Sequence, residues 1–274
     1  MELFKLHEPA GDAVPVIANL PHSGTYVPPK IAEQFTPEHL ASLPHTDWHL
    51  DRLYGYLPEL GVTVLQATHS RYVVDLNRAI SDPLLGPFHT STVAEYAPAQ
   101  SSQRTNLQSP VYRTHPTAEQ LERGVQQYYL PYFEQLDALL DQFLARFGQV
   151  YLLHLHSFYG PLGHVIDLGD GGGQGCCERM IESVERQFRA AGYAVARNSP
   201  YFGNFAAQRF GSRAGVESLQ IEIRYPVYLG EQEFPGAAHC GSAANGRRAG
   251  DVSVDIRWNH RGAYGASVIE CSGP

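Results

Sequence analysis

Six short runs of apolar residues punctuate the chain: Val14–Leu20 (VPVIANL), Val62–Thr68 (VTVLQAT), Val150–Leu155 (VYLLHL), His164–Leu168 (HVIDL), Tyr193–Arg197 (YAVAR) and Glu217–Ile223 (ESLQIEI). They are rich in Val, Ile, Leu and Tyr and mostly apolar on both faces, the pattern of strands in a sheet covered on both sides. Helical patterns lie between them. Thr117 and Gln120 form a capping box, and Leu121, Val125, Tyr128, Tyr132, Leu136, Leu139, Leu140, Phe143 and Phe147 follow at helical spacing until Gly148. Pro131 predicts a kink in that helix. A second helix is predicted from Glu178 to Ala191, ahead of Gly192. Strands alternating with helices predict an α/β fold, a single domain with a mixed, mostly parallel sheet flanked by helices. Leu84–Leu107 is polar and aperiodic and reads as a long loop. From Pro235 onward Gly, Ala, Ser and Arg dominate, and only Val252–Ile256 has a strand pattern. The expected division is a domain over residues 1–234 and a tail over 235–274.

Length and charge narrow the classes. A chain of 274 residues buries a sizeable core without staples. The formal net charge of -8 argues against a nucleic-acid or anionic-membrane partner, which calls for a basic face. No apolar run approaches the roughly 20 residues that span a bilayer. The start, MELFKLHEPAGD, lacks the pattern of a signal peptide. Four cysteines, Cys176 and Cys177 adjacent among them, form neither a CxxC pair nor a disulfide framework. These features together predict a cytoplasmic globular protein.

Candidate chemistry concentrates where strands end, the usual place for sites in open α/β sheets. Pro21-His22-Ser23-Gly24 directly follows the first apolar run. His22 there suits a metal ligand or a base, and Gly24 permits close backbone approach; a loop-capping histidine is the plainer reading. His45-Thr46-Asp47-Trp48-His49-Leu50-Asp51-Arg52 packs two histidines and two aspartates into one run. Thr46 or Asp47 is equally an N-cap for a following helix. Leu153-His154-Leu155-His156-Ser157-Phe158 ends a third run, with His154 and His156 on one face. Two imidazoles and a carboxylate are the ligand set of an open catalytic zinc site, which lowers the pKa of water to about 7. Glu222 sits in the otherwise apolar Gln220-Ile221-Glu222-Ile223-Arg224, where a carboxylate is costly unless it is paired or functional. A salt bridge to Arg224 is its structural alternative. Arg71 and Arg78 flank a β-like segment with Asp75 and Asn77 on one face. Arginine forks suit an acidic substrate, and a structural Arg–Asp pair is the alternative.

In order and spacing, PHSG, TDWHLD, SRYVVDLNR, HLHSF, Asn198–Phe205 (NSPYFGNF) and LQIEI resemble the N-formylglutamate amidohydrolase (deformylase) family of zinc carboxypeptidase-like hydrolases. The resemblance runs, with one gap, from about Val14 to about Leu229, and the tail after Gly236 does not match. It implies a metal-dependent amidohydrolase domain with Zn2+ held by His22, Asp47 and His156. The family's HxxE pattern is broken here, since the residue three after His22 is Thr25, and Asp47 is taken as the acidic ligand the resemblance implies. It further implies Glu222 as the base, and Arg71, Asn77 and Arg78 as the residues holding substrate carboxylates. The implied reaction is hydrolysis of N-formyl-L-glutamate to glutamate and formate, a step of histidine degradation. The expected partner is thus a small acidic N-acyl amino acid. Two alternatives stand beside it: a related zinc hydrolase acting on another N-acyl amino acid or a peptide C-terminus, and a non-catalytic binder of an acidic metabolite.

Overall fold

The computed structural model describes residues 1–82, 112–113, 116–160 and 162–229. The stretch Leu84–Leu107, the expected tail 235–274 and its strand pattern at Val252–Ile256 lie outside these residues. Among the described residues seven strands form one sheet: β1 (Phe4–His7), β2 (Val16–Leu20), β3 (Thr63–Ala67), β4 (Val150–Phe158), β5 (Ile166–Gly169), β6 (Val195–Arg197) and β7 (Val216–Arg224), in the order β1-β3-β2-β4-β7-β5-β6. The pairs β2–β3, β2–β4, β4–β7 and β5–β6 are parallel, whereas β1–β3 and β5–β7 are antiparallel. This is the mixed, mostly parallel sheet that the alternation predicts.

Two strands depart from the apolar pattern. β4 continues past Leu155 to Phe158 because His156 and Ser157 are as buried as the aliphatic residues before them. β1 is an edge strand of four residues whose burial alternates, too short to show a period above its surroundings.

The helices are α1 (Pro29–Ala32), α2 (Pro37–Ser42), α3 (Leu50–Leu53), α4 (Ala118–Gly124), α5 (Leu130–Phe147), α6 (Glu178–Ala190) and α7 (Asn204–Phe210). Thr117 and Gln120 close the expected capping box on α4. A π turn over Val125–Tyr129 joins α4 to α5 just ahead of Pro131. Pro131 has no N–H and its ring crowds the carbonyl four residues earlier, and the wider turn accommodates both. No helix among the described residues is long and apolar enough to cross a membrane.

Alternation along the central strands builds two cores. Val16, Ala18, Leu20, Leu153, Leu155, Leu219, Ile221 and Ile223 pack with Met180, Ile181 and Phe188 of α6. On the opposite face Ile17, Val150, Leu152 and Val216 pack against Tyr132, Phe133, Leu136, Leu140 and Phe143 of α5, and Phe210 of α7. Each fully buried aliphatic side chain stabilises the fold by about 1.5–3 kcal/mol. The chain leaves β2 for β3 on one side and returns to β4 on the other. The crevice at the carboxyl ends of β2 and β4 is therefore a topological switch point.

Candidate metal centre

On the α5 face the aliphatic floor gives way to polar side chains toward the carboxyl ends of the strands. Asn19 of β2, His154 of β4 and Gln220 of β7 lie in register, and one step further His156 pairs with Glu222. All five are buried. His22 lies two residues beyond β2, and Asp47 comes from the segment before α3. His22, Asp47 and His156 are buried, and one potential ligand atom from each lies within 4.8 Å of the others. The two imidazole rings meet edge-on with centroids 4.7 Å apart.

Backbone contacts hold these segments together. The Asp47 N–H donates to the His22 carbonyl at 3.0 Å, which ties the two ligand loops directly. Gly24 passes so close to the end of β3 that a Cβ there would lie 2.3 Å from the His69 carbonyl oxygen. Only glycine allows that approach, and it seats the His22 loop on the sheet. Leu43, His45 and His49 occupy the left-handed region at φ 35, 60 and 56°. Such backbone is costly for side chains with a Cβ, and it concentrates around Asp47. The Thr46 hydroxyl donates to the Leu43 carbonyl at 2.8 Å, and α3 begins after His49 without a side-chain cap. Thr46 and Asp47 are therefore not N-caps. Asp47 instead accepts from Ser157 Oγ at 3.3 Å and lies 3.0 Å from His156 Nδ1.

Asp75 orients His22. The His22 Nε2–H donates to Asp75 Oδ1 at 2.8 Å, which fixes the tautomer and turns Nδ1 toward Asp47 Oδ2, 3.9 Å away. Burial, with the nearby Arg71 charge adding to it, lowers the His22 pKa to about 4, so the ring is a neutral lone-pair donor at pH 7. Asp75 is fully buried yet held well below the usual carboxylate range by Arg71, His22 and Arg78, which together outweigh its desolvation. The Ser70–Arg78 run consists of turns around this carboxylate rather than the expected β-like segment. Asp75 Oδ1 also accepts the Asn77 backbone N–H at 2.9 Å.

The other predicted residues surround this group. Arg71 Nη2 donates to Asp75 Oδ2 at 2.9 Å and Nη1 to the His45 carbonyl at 3.2 Å. Arg78 Nη1 donates to Asp82 at 3.1 Å, and its Nε lies 3.6 Å from Asp75 Oδ2. The Arg–Asp pairing considered for this segment is thus present. Glu222 forms no ion pair with Arg224, whose Nη1 donates to the Leu162 carbonyl. Burial, then the negative charges of Asp47 and Asp167, push the Glu222 carboxyl well up. Its Oε1 accepts from Gln220 Nε2 at 3.0 Å, and its Oε2 is buried without a hydrogen-bond partner among the described residues. His154 belongs to a separate chain: Tyr132 donates its hydroxyl to Asn19 Oδ1, and Asn19 Nδ2 donates to His154 Nδ1 at 3.0 Å.

Known proteins share this arrangement of sequence and fold. The family model for N-formylglutamate amidohydrolase matches residues 14–229. The chain belongs to this family. It is 32% identical over 230 residues to an N-formylglutamate deformylase of Pseudomonas aeruginosa, covering 80% of this chain and 84% of that one. A deformylase of Pseudomonas putida is 27% identical over 231 residues, with the same coverage. The crystal structure of N-formylglutamate amidohydrolase from Ralstonia eutropha superposes with a TM-score of 0.70 at 31% identity, covering 86% of this chain and 92% of that one.

The donor set fits a divalent cation of the kind the family resemblance implies. Two imidazoles and a carboxylate converge, one imidazole is held neutral, and the buried His156 Nε2 has no hydrogen-bond partner among the described residues. Gln220 is a participant that motif reading passed over, and Asp75, read there only as a partner for arginine, also holds His22. A carboxylate between two arginines is the available signal for Asp75, and period-two spacing from Glu222 is the signal for Gln220.

Proposed function

We propose that this chain is a metal-dependent amidohydrolase that cleaves N-formyl-L-glutamate to L-glutamate and formate. The observation carrying the reading is the convergence of His22, Asp47 and His156 beside a buried carboxyl on β7, in a chain of the N-formylglutamate amidohydrolase family. His22, Asp47 and His156 hold the cation, with zinc as the expected ion. A divalent cation at such a site polarises a carbonyl and lowers the pKa of water.

The remaining work falls to the protein's side chains. With the burial that raises the Glu222 carboxyl offset by a bound cation, its Oε2 takes the proton of the attacking water and delivers it to the departing amine. Arg71, Asn77 and Arg78, one side of the site, bind the glutamate carboxylates and fix the formyl group over the reacting centre. Asp75 keeps Arg71 and His22 in one hydrogen-bonded unit, so substrate anchoring and ligand orientation share a support. The free thiols Cys176 and Cys177 suit a reducing compartment, in keeping with a cytoplasmic enzyme acting on a small metabolite.

Formate release from N-formyl-L-glutamate, run beside N-acetyl-L-aspartate and a short peptide, tests the substrate. Preference for the formyl compound by tenfold or more in kcat/KM is expected. A preference for either of the others would move the assignment to another acyl amino acid or to peptide C-termini.

A further inference from the structure

Glu222 is not the end of its hydrogen-bond chain. Its Oε1 accepts from Gln220 Nε2 at 3.0 Å, and Gln220 Oε1 in turn accepts from Asn77 Nδ2 at 3.2 Å. Gln220 and Glu222 are two residues apart on β7 and so project from the same face, where both are buried. Asn77 reaches them from the turns that follow β3, 143 residues away in sequence from Gln220. A primary amide suits this position because one end donates while the other accepts, so the order Asn77 to Gln220 to Glu222 has a single direction.

We propose that Gln220, anchored by Asn77, is a positioning residue for the base: it occupies Glu222 Oε1 and thereby presents Oε2 alone for proton transfer. This inference rests on the hydrolase reading above. A carboxyl group rotates about its last bond with a broad preference, so without a fixed donor its two oxygens exchange places. With Oε1 engaged, the plane of the carboxyl is set and Oε2 becomes the oxygen without a partner among the described residues. The arrangement also links both sides of the site. Asn77 adjoins Arg78 and receives its own backbone order from Asp75, which holds His22. One Asn77 amide hydrogen serves Gln220, and the amide retains a second hydrogen and an oxygen for substrate.

The test uses the zinc-loaded full chain and steady-state formate release from N-formyl-L-glutamate, with zinc content and thermal unfolding measured on every variant. Gln220→Met keeps the length and volume of the side chain and removes both polar ends. It is expected to lower kcat about 10–100-fold, the usual cost of losing an orienting partner, while KM and zinc content change less than twofold. Asn77→Ala, at a partly buried position, is expected to lower kcat by a smaller factor, and the double variant to be no slower than Gln220→Met alone. If Gln220→Met fails to fold, Gln220→Leu, which also removes both polar ends, carries the test through the same loss of kcat at full zinc content. Wild-type kcat in Gln220→Met, or losses that multiply in the double variant, would overturn the positioning role. Wild-type enzyme that releases no formate would overturn the substrate reading and the inference together, whereas an active wild type with an equally active Gln220→Met overturns the inference alone.

Discussion

The two faces of the central sheet are made by the same strands, yet they end in different chemistry. Toward α6, alternate residues of β2, β4 and β7 are mostly apolar, from Val16 to Leu20, Tyr151 to Leu155 and Leu219 to Ile223, with the polar Glu217 at the start of β7 and Ser157 near the end of β4. Toward α5, the same strands begin with Ile17, Val150, Leu152 and Val216, pass through Asn19, His154 and Gln220, and finish at His156 and Glu222. Burial is equal on the two sides, so accessibility does not distinguish them. The difference lies in how polar groups are satisfied. An aliphatic face is held by transfer free energy and packing, which tolerate small changes in shape. Buried imidazoles and carboxylates stand only through specific partners, because each lost partner exposes a desolvation cost. One face of the sheet is held mainly by packing, whereas the other carries the buried polar groups of the candidate site.

The sharpest way to break this division is Glu222→Gln, which preserves shape while removing the proton acceptor. Turnover is expected to fall by about 10²–10⁴-fold with zinc content unchanged. Loss of zinc in that variant, read by elemental analysis, would make Glu222 a ligand instead.

A second separation comes from pH, because the α5 face buries titratable rings at depressed values. His22 is lowered to about 4 and His154 to about 3, each chiefly by desolvation. The unfolded chain takes up protons near pH 6.5, so the stability these neutral rings contribute is complete above that pH. It is lost as pH falls from about 6.5 toward 4 and 3, at roughly 1.4 kcal/mol per pH unit for each ring. Melting temperatures should therefore begin to drop below about pH 6.5; a flat profile down to pH 5 would contradict the burial of neutral histidines.

Asp75→Asn probes the support of His22. The expected result is zinc affinity weakened about 10–100-fold, measured by competition with a chelating dye, with the fold retained. The smallest effect belongs to the opposite face. Ile221→Val should cost about 0.5–1.5 kcal/mol in denaturant unfolding and leave kcat unchanged. A drop in kcat there would show that the two faces are coupled.

The sequence made the sheet legible for physical reasons, and the three convergent positions chiefly through the family resemblance. Apolar runs marked the central strands, and His22 and His156 fell at or just past strand ends, where sites in open α/β sheets gather. The apolar run alone stopped at Leu155, and the period-two spacing of His154 and His156 carried the strand on toward Phe158. The 43–49 segment read as a helix start because Thr and Asp are common caps. Its left-handed residues, fixed by contacts such as Asp47 N–H to His22, override that propensity. Asp75 was visible only as a partner for arginine, because its hydrogen bond to His22 joins residues 53 positions apart.

The most direct measurement is formate release by the purified chain before chelation, after chelation to below one-tenth of an equivalent of metal, and after zinc is restored. The account predicts activity that disappears with the metal and returns with about one equivalent per chain, while His22→Ala and Asp47→Ala neither retain zinc nor regain turnover. Full formate release from metal-depleted protein would contradict it.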